Sequence, residues 1–216
     1  MQSRTLNEQD RARIAAAVCD AETKTAAEIY CVLARSSDDY RWPALALAAL
    51  MALGAALFAV LTLPALWPGL GWSMTPLMVL IAQALFFLAL AVLLRFCEPL
   101  RLMLLPDALK GRATRARALD LFLAHGLHKT SGRTGILLYV SLAERRAEIV
   151  ADALLDAALD DAVFLQAVDA LIGAARRGAV ADGFMAAISG LTGPLAEAAP
   201  WTPADENELP DHLVEL

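Results

Sequence analysis

Two rhythms of apolar residues run along this chain, and they are interrupted by one long stretch with no charge at all. From Trp42 to Leu94 there is no Asp, Glu, Lys or Arg. Hydrocarbon about 30 Å thick takes about 20 helical residues to cross, so the stretch predicts two spans, residues 42–66 and 74–95. Between them PGLGWS, Pro68 to Ser73, combines Pro and Gly, which favour a tight turn over continued helix. Trp42, Trp67 and Trp72 fall at the expected interfaces, where an indole ring is stable at headgroup level.

The flanks keep ordinary polarity and a periodic pattern. Asn7 followed by Glu8 and Asp10 reads as a helix cap with an acidic first turn. Ile14, Val18 and Ala21 recur at helical spacing, which predicts a helix over residues 7–22. EIYCVLA, Glu28 to Ala34, predicts a buried strand. Beyond the spans, Thr114–His125 predicts a helix stopped by Gly126. Ile136–Ser141 and Ala147–Ala151 predict two strands joined by a turn over Leu142–Arg146, hence a β-hairpin. Two amphipathic helices follow, Asp161–Arg177 ended by Gly178 and Asp182–Glu197 stopped by Pro200, and then an irregular tail. The expected fold class is α/β: a small sandwich, a short sheet covered by helices, with an inserted two-helix transmembrane hairpin. The division is residues 1–41 for the first part of the domain, 42–96 for the hairpin and 97–216 for the remainder with its acidic tail.

Composition agrees with a membrane chain. Of 216 residues 58% are hydrophobic and only 19% charged, with mean hydropathy +0.53. The net charge of −6 and the absence of a basic face exclude a nucleic-acid partner. Cys19, Cys31 and Cys97 have neither paired nor metal-type spacing. No apolar run lies close enough to the start for a secretory signal, so the first span is expected to act as the insertion signal. Arg35 and Arg41 precede the hairpin, and Arg95, Arg101, Lys110, Arg112, Arg115 and Arg117 follow it. The turn has no basic residue. The positive-inside rule then places both termini in the cytoplasm, as expected of a two-span protein of a bacterial inner membrane. Gln83 is the lone amide of the spans and nothing there ionises, so anchoring is the economical role.

Candidate chemistry is sparse. Asp152, Asp156 and Asp160 recur every four residues with Asp161 adjacent. On one helix face their oxygens would suit Ca²⁺ or Mg²⁺, while a helix cap or solvated face is the commoner reason for such spacing. Arg145 and Arg146 sit on the turn between the strands, where they could grip a phosphate or lipid headgroup, or pair with Glu144. His125 and His128 are separated by the helix-stopping Gly126 and lack HExxH spacing. The loop Thr130–Thr134 is polar but matches no catalytic spacing. There is no GxSxG elbow and no GxxxxGK[ST] phosphate loop.

TGILLYVSLAERRAEIVAD, Thr134 to Asp152, resembles the central motif of the TPM domain family: a glycine before an apolar strand, a basic turn, then a second strand with an Ile or Val pair. The strand AEIYCVLA and the block VDALIGAARRGAVADGFMAAI, Val168 to Ile188, match in order and spacing. ENELPD, Glu206 to Asp211, is similar to the tail of the bacterial membrane branch. The resemblance implies phosphatase activity, cation binding, or assembly and repair of membrane complexes. It departs from the family in one respect: many members carry a leader and a C-terminal anchor, whereas here the hairpin interrupts the domain. The expected function is a membrane-anchored, non-catalytic interaction or maintenance factor for envelope proteins, with the lipid bilayer and other membrane or envelope proteins as partners. The alternative is a Ca²⁺- or Mg²⁺-dependent phosphatase using the aspartate cluster.

Overall fold

The computed structural model describes residues 6–66, 75–130, 132–202 and 212–216, excepting the side chains of residues 63–65. The turn Pro68–Ser73 with Trp67 and Trp72, Ser131 and the ENELPD segment, all singled out above, lie outside the described residues. Two compact units form, one from Met1–Asp38 with Lys110–Leu216, the other from Asp39–Leu109.

In the first unit, α1 (Glu8–Glu22) begins at Asn7, whose side chain accepts the Asp10 N–H at 2.6 Å, and buries Ile14, Val18 and Ala21. Strand β1 (Glu28–Ala34) is buried at every position after Glu28. β2 (Gly135–Ser141) pairs with it in parallel, from Glu28 opposite Gly135 to Ala34 opposite Ser141. β3 (Arg146–Ala151) returns antiparallel to β2, as the hairpin reading required. A two-residue strand, β4 (Val214–Glu215), pairs in parallel with β1, so the sheet order is β3-β2-β1-β4. The tail expected to be irregular therefore supplies an edge strand.

Alternation along β1 and β2 divides the apolar residues between two faces. Ile29, Cys31 and Leu33 with Ile136, Leu138 and Val140 pack against α1, α7 (Asp161–Arg177) and α8 (Val180–Ala198), which contribute Ile14, Leu171, Phe184 and Leu191. Tyr30, Val32, Leu137 and Tyr139 face α5 (Asp107–Ala124) through Ala118, Leu121 and Phe122, and also meet Leu127 of a 3-10 turn (Leu127–Lys129). The α/β sandwich read from the pattern is thus present, with α1, α7 and α8 covering one face and α5 the other.

Two differences have local causes. α5 starts at Asp107, seven residues before the predicted start, directly after Pro106 and with Asp107 acidic in its first turn. Its polar opening, Lys110 to Arg117, hides the helical period. The short helix α6 (Ala153–Ala158) breaks what the aspartate spacing read as one continuous helix face.

In the second unit, α2 (Arg41–Leu66) and α3 (Pro76–Phe96) pack together, followed by α4 (Glu98–Leu104). Thr75 caps α3 and Pro76 takes its first position, where a missing N–H costs nothing. The contact is made by Ala44 and Ala48 against Leu94, Phe87 and Leu90. Small residues allow this close approach; of the three that the sequence offers for it, Ala48, Gly54 and Ala55, Ala48 is used. Gly54 and Ala55 are exposed, and a Cβ placed on Gly54 would meet nothing within 4 Å.

Candidate functional site

The C-terminal ends of parallel strands are where α/β sheets collect polar groups, and here β1 and β2 end on a buried cluster. β2 is apolar up to Tyr139 and Ser141, and β1 runs out into Ser36 and Ser37. Glu144, on the turn between β2 and β3, is 8% exposed. Its Oε1 accepts the Ser37 N–H at 2.8 Å and the Ser36 hydroxyl at 3.1 Å, while its Oε2 accepts the Ser141 hydroxyl. The Ser37 hydroxyl lies 3.1 Å from the Tyr139 hydroxyl and 3.4 Å from that of Thr114, which donates to the Lys110 carbonyl at 2.8 Å. Burial raises the Tyr139 hydroxyl above its ordinary value, partly opposed by its bond to Ser37.

A buried carboxylate is stable only when its oxygens find donors, and Glu144 finds three. The cluster ties the chain leaving β1 to the β2–β3 turn and to the start of α5. Arg145, next to Glu144, takes a left-handed conformation with φ 54° and is exposed. Arg146 is half-buried on β3, with its guanidinium over Gly111 of α5. Consecutive in sequence, the two arginines differ in exposure and in setting.

The polar loop before β2 is structural. Thr130 accepts the Thr134 N–H at 3.2 Å, and Thr134 donates to the Ala26 carbonyl at 2.7 Å. Arg133, with φ 53°, brings its Nε to 4.0 Å from Asp152. Gly135 is required by space, because a Cβ there would run into the Leu127 carbonyl. His125 stacks obliquely on Tyr30, with ring centroids 4.8 Å apart, while His128 keeps a buried Nδ1 without a partner among the described residues.

The four aspartates do not form the helix face that a metal reading needs. Asp152 caps α6, accepting the Ala153 N–H at 2.6 Å, and is buried. Asp160 caps α7 through the Ala162 N–H at 3.1 Å, Asp161 lies in the first turn of α7, and Asp156 is exposed on α6. The chain breaks at Leu159 between these helices, so the i, i+4 spacing is not one continuous helical row. Among the described residues, no three His, Cys, Asp or Glu side chains converge as a metal site would require. Burial also pushes the Cys31 thiol up, which leaves it a poor nucleophile.

Sequence reasoning noted Glu144 but missed Ser36, Ser37, Thr114 and Tyr139. The available signal was the polar end of an otherwise apolar strand, Tyr139 and Ser141, together with a serine pair closing β1.

Comparison with known proteins supports this architecture. Residues 100–193 match the profile of a family described as TPM domain. The match takes in the motif Thr134–Asp152 and the block Val168–Ile188, but not β1 or the tail. Among solved structures, the NMR structure of the BA42 protein from the psychrophilic bacterium Bizionia argentinensis shares the fold. Its TM-score is 0.61 at 16% identity, and the alignment covers 100% of this chain and 99% of that one. No curated protein matches the sequence.

Proposed function

For a chain that carries a TPM domain, we propose a membrane-anchored, non-catalytic interaction or maintenance factor that serves envelope proteins from the cytoplasmic face of a bacterial inner membrane. The observation that carries the anchoring is the exposure of the two long helices. Arg41–Thr62 and Pro76–Phe96 have mean hydropathies of 2.5 and 2.8, yet only 17% and 6% of their most apolar windows are buried. Leu50, Leu57, Phe58 and Leu61 on α2, and Leu77, Met78, Leu80 and Leu85 on α3, are all exposed. Core helices of a water-soluble domain bury such side chains; helices solvated by lipid do not need to. The orientation is supported by the arginines at the charged ends of the spans.

An interaction role is favoured over turnover by the Glu144 cluster, whose groups bond one another, and by the division of the aspartates between two helices, with Asp152 and Asp160 as their caps. Two measurements test the proposal. In a full-length variant without native cysteines, Ser73→Cys should react with an impermeant maleimide in intact cells, and Gln166→Cys on α7 should stay protected. The opposite pattern would reverse the orientation and move the domain outside the cytoplasm. The purified full chain, assayed on a generic phosphate ester with Ca²⁺ or Mg²⁺, should show no turnover that depends on Asp152 or Asp156. Turnover abolished by Asp152→Ala or Asp156→Ala would replace an interaction role with a cation-dependent phosphatase.

A further inference from the structure

Within the second unit a cavity of about 380 Å³ opens where α2 begins and α3 ends. One wall is apolar, with Leu45, Val92 and Leu94. Arg41, Arg95 and Arg101 also line the cavity. Trp42 also borders the cavity and is 82% exposed. Arg41 opens α2, Arg95 lies in the last turn of α3 and Arg101 is on α4, so three elements each bring an arginine to the cavity lining.

The charges are only partly answered. Arg41 pairs with Asp39 at 3.3 Å, on the surface where such a pair contributes little. Glu98 opens α4 nearby in sequence. Arg101 donates from Nη1 to the Leu94 carbonyl at a long 3.5 Å, and its Nε is buried with no partner among the described residues. A buried guanidinium N–H without an acceptor is costly, and a planar cation of this kind is suited to phosphate oxygens. A lining that combines apolar side chains with three arginines and an indole is complementary to a molecule that joins an acyl chain to an anion.

We infer that this cavity binds an anionic phospholipid, its phosphate against Arg95 and Arg101 and its acyl chain along Leu45 and Val92. The inference rests on the membrane reading, because only there do Arg41 and Arg95, at the ends of the two apolar helices, lie at headgroup depth. A zwitterionic lipid would bring its own ammonium group next to three guanidinium groups, so the site discriminates by headgroup charge.

The test uses the full chain with Trp42 as its sole tryptophan, reconstituted in phosphatidylcholine nanodiscs. These contain graded fractions of brominated phosphatidylglycerol or brominated phosphatidylcholine, whose bromines quench nearby indoles. Phosphatidylglycerol should quench Trp42 at a lower mole fraction than phosphatidylcholine does. Each of Arg95→Gln and Arg101→Gln should reduce that preference about fivefold, while quenching by phosphatidylcholine stays unchanged and so reports an intact hairpin. Equal quenching by the two lipids, or a preference that survives in the double variant, would overturn the site and leave the membrane anchor standing. Quenching by neither lipid would sink the anchor and the site together. Loss of the preference on adding inorganic phosphate at constant ionic strength would also overturn the proposal, since the ligand would then be a free anion.

Discussion

Single residues here act through what they bond, and Glu144 shows it most clearly. Glu144→Ala would take the acceptor from the Ser37 N–H and the buried Ser141 hydroxyl, while the Ser36 hydroxyl keeps the Asp38 carbonyl at 2.9 Å. The expected loss is about 1–3 kcal/mol, read as a lower thermal midpoint of the full chain in detergent. Glu148 carries the opposite charge logic. Burial raises its carboxyl above the ordinary 4.5, opposed by Arg115 and Arg146. A raised carboxyl binds its proton more tightly in the folded state, so its contribution to stability falls as pH rises from about 4.5 towards the raised folded value. Glu148→Gln should remove that decline, and denaturation midpoints of the two proteins should diverge in favour of the variant across this interval. Parallel curves would show that Glu148 is solvated like a free side chain. Caps such as Asn7 were legible in sequence because cap and recipient are neighbours. The Glu144 cluster was not, because Ser36 and Ser37 lie more than a hundred positions away along the chain.

Elements were legible where one periodicity governs them. β1 and α7 occupy the residues that alternation and helical spacing assign, and the two long apolar helices differ from expectation by a residue or two at their limits. α6 and β4 were missed since six and two residues carry too little period to register. Helix packing gives a direct contrast between glycines. A Cβ on Gly183 of α8 would come within 2.6 Å of the Ala174 Cβ on α7. Gly183→Val should therefore lower stability by about 1–3 kcal/mol through overpacking. Gly54→Ala on α2, where the added methyl meets nothing, should leave the thermal midpoint unchanged or slightly raised. Similar losses from both would mean that Gly54 faces a packed neighbour.

For the molecule as a whole, the sequence announced the interruption of the domain by a hairpin but not how neatly its flanks meet. Ser37 touches Thr114 at 3.4 Å, so within the first unit the chain leaves and returns at neighbouring points. Domains accept insertions at such points. Replacing Asp39–Leu109 by a short Gly-Ser linker should give a protein that stays in solution after high-speed centrifugation and keeps a cooperative thermal transition; aggregation would show that the sheet needs its insert. In the uninterrupted order of synthesis, the same geometry sets a clock. β1 leaves the ribosome about a hundred residues ahead of β2, the strand that covers its edge. At ordinary elongation rates that is a delay of roughly 5–20 s, and β4 comes later still. Throughout that interval a strand built to be buried on both faces has open backbone edges, the condition in which strands find wrong partners. On the membrane reading proposed above, stalled insertion of the hairpin would prolong that exposure, and the protein would be expected to accumulate as aggregate.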